Sequence, residues 1–240
     1  MGLWTWYCCG KHPVAADFFQ IGEASALAEH FNRWVQKGYE QVLKSRQKGA
    51  GLFSWRFWTQ GFKGDELVLG LIRDSGDNRG RPFPILFLGS GPLTSWARSW
   101  ELLPLICDQV WSHVEHLAVK RLESFQELKN EVERIRPPLS QWAVARAAYT
   151  RALESEAGER IQGEGQEEPP DSETLHFQIR LSEDDSSAVL LTSCHSRLKR
   201  IRSGAVPQAV FMGGGEGLMH VKGYFRSLKP TDYVTLWSLR

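Results

Sequence analysis

Ser54-Trp55-Arg56-Phe57, then Leu67-Val68-Leu69-Gly70-Leu71-Ile72, then Asp77-Asn78-Arg79-Gly80-Arg81-Pro82-Phe83-Pro84-Ile85-Leu86-Phe87-Leu88 form three apolar or aromatic runs separated by Gly and Asp turn signals. Short apolar runs bounded in this way predict adjacent buried strands. Leu67–Ile72 lacks clean alternation, so it is expected to be covered on both faces. Pro82 and Pro84 cannot donate ladder hydrogen bonds, which places the start of the third strand after them or on a protected edge. The flanking sequence reads mostly as helices able to cover such a sheet.

Upstream, Leu3 to Cys9 predicts a first strand closed by the Gly10-Lys11-His12-Pro13 turn, with a short apolar segment at Asp17–Ile21. A helix follows, starting near Glu23 or Ser25 and stopping in Lys48–Gly51. Leu27, His30 or Phe31, Trp34, Val35, Tyr39 and Val42 recur in it at helical spacing. Downstream, Gly89-Ser90-Gly91-Pro92 reads as punctuation, and Thr94 or Ser95 as a helix cap. Leu103 to Ile135 carries the strongest helical periodicity, as one helix or as two broken near Lys120, and Pro137-Pro138 ends it. Ser140 is expected to cap a helix reaching about Leu153. Residues 154–173 are acidic, Gly- and Pro-containing and poor in apolar side chains, which predicts a mobile linker within a single domain spanning 1–240. Limited proteolysis of the native chain should cut there first; resistance of this segment would overturn the linker reading.

Leu175–Leu181 alternates as a half-buried strand, with Val189–Leu191 expected as its hairpin partner. Gln208–Met212 and Leu218–Tyr224 predict two strands around Gly213–Gly217. Tyr233–Leu239 reads as helix or strand, and Lys199-Arg200-Ile201-Arg202 as a solvated turn or strand end.

Composition sets the broad class. A formal net charge of +1, 42% apolar and 24% charged residues describe an ordinary globular chain. The neutral balance argues against nucleic acid or an anionic membrane as the main partner. No run approaches the roughly 20 apolar residues of a membrane span, and no signal peptide opens the chain. Cys8, Cys9, Cys107 and Cys194 are expected to be reduced thiols, and the location cytoplasmic.

Catalytic chemistry needs particular residue types at particular spacings. Cys8-Cys9-x-x-His12 has zinc-like residue types, but Cys194-His195 would have to supply the other half of the site. An aromatic strand with buried thiols is the better reading, and no metal is expected. Cys107, His113 and His116 fall along one helix without a His-Glu-x-x-His motif. Gly89-Ser90-Gly91 lacks nucleophile-elbow spacing, Gly10-Lys11 lacks a following Ser or Thr, and Gly213–Gly217 lacks the dinucleotide fingerprint. No catalytic residue and no cofactor is expected.

Gly10-Lys11-His12-Pro13, Asp17-Phe18, Trp34, Gly38, Trp55-Arg56-Phe57, Asp77, Gly80-Arg81, Phe83-Pro84 and Trp100 stand in the order of the TagF family, also called ImpM, and the chain resembles it over about Trp6 to Trp100. Ala16 stands where many members have Gly before the Asp. The resemblance implies an α/β/α sandwich with a mainly antiparallel central sheet, longin-like. It implies a non-enzymatic, post-translational repressor of type VI secretion whose partner is a forkhead-associated-domain scaffold protein. Carried over by position, Lys11, Asp17, Arg56, Asp77 and Arg81 are candidates for partner or anion binding. Their structural alternative is that the two Asp cap turns while the Arg side chains fix the loop ends. Two rival functions are a nucleotide- or phosphopeptide-binding module using Lys11, Arg56 and Arg81, and a hydrolase using Ser90.

Overall fold

The computed structural model describes residues 3–45, 51–154, 173–180, 186–215 and 218–239; the expected linker falls almost wholly outside them. Among these residues, β1 Thr5–Gly10, β2 Phe19–Ile21, β3 Ser54–Gln60, β4 Glu66–Arg73, β5 Ile85–Pro92, β6 Thr174–Ile179, β7 Ala209–Gly214 and β8 Met219–Tyr224 form one sheet. Its order is β2-β1-β5-β4-β3-β7-β8-β6, and every pairing is antiparallel.

Both faces are covered, which explains the unbroken apolar run of β4. Leu67, Leu69 and Leu71 point into one cluster, and Val68 and Ile72 into the other. The second face lies under α1 (Ala26–Ser45) and α7 (Pro230–Leu236). Phe31, Trp34, Val35, Tyr39 and Val42 on α1 are its buried stripe. Asp74, at the end of β4, holds this layer down: its carboxylate accepts Phe53 N–H at 2.9 Å and Trp237 Nε1–H at 3.0 Å.

The first face lies under α2 (Leu103–Ile106), α3 (Asp108–Val119), α4 (Phe125–Glu133) and α6 (Ser187–Ile201), with α5 (Trp142–Leu153) packed outside them. The long helical pattern resolves as three helices, the four-residue α2 and then α3 and α4, with the break between the longer two at Lys120. The chain leaves α3 at Lys120 in an extended conformation, and Ser124 caps α4 by accepting the Glu127 amide at 3.2 Å.

Four expectations are corrected. Gly89-Ser90-Gly91-Pro92 is not a turn but the second half of β5, because Trp6 and Trp4 occupy the space over the glycines. A Cβ on Gly89 would lie 2.4 Å from the Trp6 ring, and one on Gly91 2.6 Å from the Trp4 ring. Ser95 makes no side-chain cap; two 3-10 turns, Trp96–Arg98 and Trp100–Leu102, follow it and lead into α2. Val189–Leu191 belongs to α6, not to a hairpin. Ala188, Leu191, Cys194, His195 and Leu198 are buried at steps of three and four, a period that a three-residue window cannot reveal, and the partner of β6 is β8. Lys199 and Arg200 form the last turn of α6, where cations meet the negative end of the helix dipole.

Candidate functional site

The geometry is built around Asp77. β4 ends at Arg73, and residues 74–84 turn back into β5. Asp77 Oδ1 accepts the amides of Arg79 and Arg81, each at 3.0 Å, and the Gly80 amide returns to the Asp77 carbonyl at 2.9 Å. Gly80 takes φ +74°, the left-handed region this tight turn requires. The other carboxylate oxygen accepts Arg81 Nε at 2.7 Å and lies 3.1 Å from Lys11 Nζ. The Asp77 side chain is fully buried. Burial alone would raise its pKa; the Arg81 amide, Lys11, the Arg79 amide and the Arg81 guanidinium together hold it well below the usual carboxylate range.

The same contacts tie this turn to the loop after β1. Arg81 Nη2 donates to the Ala16 carbonyl at 2.9 Å and pairs with Asp17 Oδ2 at 3.1 Å. The Asn78 amide donates to the Ala15 carbonyl at 3.0 Å. Arg81 reads only the main-chain oxygen of residue 16, and Ala16 has no positive φ, so the position accepts alanine. The Phe18 amide donates to Asp17 Oδ1 at 2.8 Å, and with Arg81 it lowers the Asp17 pKa. His12, in the same loop, is buried, and burial lowers its pKa.

Above this buried ionic centre stands an exposed aromatic tip. Phe18 is 57% exposed. Its ring meets Phe83 edge-on at 4.7 Å, and Lys11 Nζ lies 4.8 Å from its centroid. Phe83 in turn meets Tyr39 of α1 at 5.1 Å. A hollow of about 340 Å³ adjoins the tip, bounded by Phe18, Phe19, Gln20, Asn32, Gln36 and Phe83 among others.

Lys11, Asp17, Asp77 and Arg81 are thus brought together, and Arg56 is not. Arg56 lies on β3, three strands from β1 in the sheet, roughly 14 Å at about 4.8 Å per strand. Its guanidinium forks onto Glu115 of α3 at 2.8 and 2.7 Å and reaches Asp108 at 3.1 Å. Burial opposes its charge, but these two carboxylates outweigh burial and raise its pKa. That arrangement clamps α3 onto the sheet.

The other candidates separate as well. Cys8 and Cys9 alternate to opposite faces of β1, so they cannot share one ion. His195 is committed to Trp58, whose Nε1–H donates to its Nε2 at 3.0 Å. The Ser90 hydroxyl is 3.2 Å from that of Thr5.

Sequence reading missed Phe18 of this assembly and Asp74 of the α1/α7 layer. Phe18 carried a signal, an aromatic beside a charge in a Gly/Pro-bounded loop. Asp74 carried none, because its partners lie 21 and 163 residues away. Among the described residues no helix is long and apolar enough to cross a membrane.

The fold has a solved counterpart. PA0076 from Pseudomonas aeruginosa PAO1 superposes with a TM-score of 0.55, covering 98% of this chain and 94% of that one at 17% identity. No curated protein matches the chain. A family model described as the TagF N-terminal domain, type VI secretion system-associated, matches residues 7–136, a span containing most of β1, all of β2 to β5, α1 to α4 and the whole Asp77 assembly. On that match the chain belongs to the type VI secretion-associated TagF N-terminal domain family.

Proposed function

We propose that this protein is a non-enzymatic, cytoplasmic repressor of type VI secretion that acts after translation by binding a component of the secretion system. The partner is a forkhead-associated-domain scaffold protein, and the contact surface is the Phe18–Arg81 end of the sheet. One observation carries the choice of surface: the exposed Phe18 ring is held by Lys11 and Phe83 over a loop pair locked at Asp77. An exposed aromatic on a rigid, preorganised base suits a protein contact, because little side-chain freedom remains to be lost on docking. The alternative use, a phosphopeptide or nucleotide site, is less well supported. Lys11 and Arg81 are both already paired with carboxylates, and Arg56 points elsewhere.

The test is a pull-down with the scaffold protein using wild type, Arg81→Ala and Phe18→Ala. Phe18→Ala removes the aromatic tip and its contact with Lys11 but leaves every ion pair and hydrogen bond of Asp77 in place, so it should keep the melting temperature close to wild type and weaken capture about tenfold or more, the range of an interface anchor. Arg81→Ala should lower both stability and capture. Undiminished capture by folded Phe18→Ala would remove this surface from the interface. Failure of wild type to bind the scaffold would overturn the partner.

A further inference from the structure

A second surface lies on the opposite helical layer, far in sequence from the Asp77 turn. α2–α3 and α5 diverge there and leave a groove of about 680 Å³ between them. Ile106, Gln109 and His113 form one wall, at steps of three and four along α2–α3. Val144 and Ala148 form the other on α5, and Pro137-Pro138-Leu139 closes the end. Each wall is therefore one face of a helix, and the space between them has the shape of a missing third helix.

α5 shows the same deficit from its own side. Of its twelve residues only Ala145 is buried, although helices of this length owe most of their stability to tertiary packing. Val144, on the α5 wall, is 63% exposed, and Leu139, at the closed end, 64% exposed. A small molecule filling the floor would leave both wet; a helix laid along the groove would cover them.

The charge of the lining selects the occupant. Among the described residues no Asp or Glu lines the groove, whereas Arg134, Arg136 and His113 do. Arg136 makes no ion pair with any described residue. We propose that this groove docks an acidic amphipathic helix of a partner protein. The partner's apolar side chains, at i, i+3 or i+4 and i+7, would sit between α3 and α5, and its carboxylates would face Arg134 and Arg136. This surface is separate from the Phe18 tip, so either proposal can fail while the other stands.

The probe is a designed helical peptide of about 15 residues, four turns, with leucines on one face and glutamates flanking them. A twin carries lysine at each glutamate. Fluorescence anisotropy with the full chain should show the acidic peptide binding at least about tenfold more tightly than the basic twin, with the gap narrowing as salt rises. Arg136→Glu should weaken the acidic peptide by about tenfold or more and reverse the preference. Val144→Glu, a change at an exposed position, should abolish binding of the acidic peptide, while Phe62→Ala, elsewhere on the surface, should leave binding unchanged. Equal binding of the twins, binding insensitive to Val144→Glu, or no binding by about 100 μM would overturn the proposal. Sedimentation showing a dimer that Val144→Glu dissolves would also overturn it, by assigning the groove to a second copy.

Discussion

Trp58→Ala should cost about 3–5 kcal/mol of folding stability, a large part of the roughly 5–15 kcal/mol that holds a domain together. Trp58 is fully buried on β3 and packs against Trp96 at 5.8 Å, Trp100 at 5.7 Å and His195 at 6.1 Å. Truncation removes one of the four tryptophans buried in this face, between the sheet and α6. It also strands His195 Nε2, which accepts the indole N–H. Trp58→Phe separates the two effects: it keeps most of the ring volume and loses only the donor, so about 1–3 kcal/mol should go. Phe62→Ala, at a 72% exposed aromatic, should stay within about 0.5 kcal/mol. Urea denaturation of the three variants gives the ranking. A loss below about 1 kcal/mol for Trp58→Ala would mean that the site collapses to fill the gap, contrary to the close packing read here.

The second large effect is loss of stability in mild acid. His195 is fully buried, donates Nδ1–H to the Leu191 carbonyl at 2.7 Å and accepts from Trp58 at Nε2, so it is held neutral. Burial pushes its pKa down to about 4, against the weaker opposing pull of that carbonyl and of Glu101. A histidine with a lowered folded pKa binds its proton more readily in the unfolded chain. Its contribution is therefore complete above about pH 6.5, declines as the pH falls below that, and is fully lost below about pH 4. The span between 6.5 and about 4 corresponds to about 3 kcal/mol, with about 2 kcal/mol gone by pH 5, before most carboxylates titrate. His220 adds in the same direction: burial, then His176 at 3.1 Å and Lys222, lower its pKa to about 4. Urea midpoints from pH 7.5 to 5 should fall steadily in wild type and less steeply in His195→Gln. Parallel slopes would remove His195 as the source.

Much of this was legible along the chain because it depends on near neighbours. β3, β4 and β5 sit where apolar runs stand between turn residues. The double cover of Leu67–Ile72 follows from its lack of alternation, and α1 from its apolar stripe. The failures share a cause. Gly89 and Gly91 resemble a turn until Trp4 and Trp6 are laid over them, and Val189–Leu191 resembles a strand until α6 packs on the sheet. In both, a long-range contact overrode a local preference.

The candidate site divides the same way. Sequence order alone picked out Lys11, Asp17, Arg56, Asp77 and Arg81 and pointed to the TagF family, because spacing between turn residues is a property of the chain. Which of them meet was decided by the sheet. The β1–β5–β4 pairing sets the ends of those strands side by side, so Lys11 reaches Asp77 across 66 residues and Arg81 reaches the Ala16 carbonyl across 65. Arg56, equally prominent in sequence, was carried away on β3 to clamp α3. The groove beside α5 likewise has no trace in the chain order, since its two walls become neighbours only after both helices dock. Periodicity and turn chemistry act over a few residues and can be read there; the pairing of charges and the spaces between helices are set by contacts whose partners the sequence does not name.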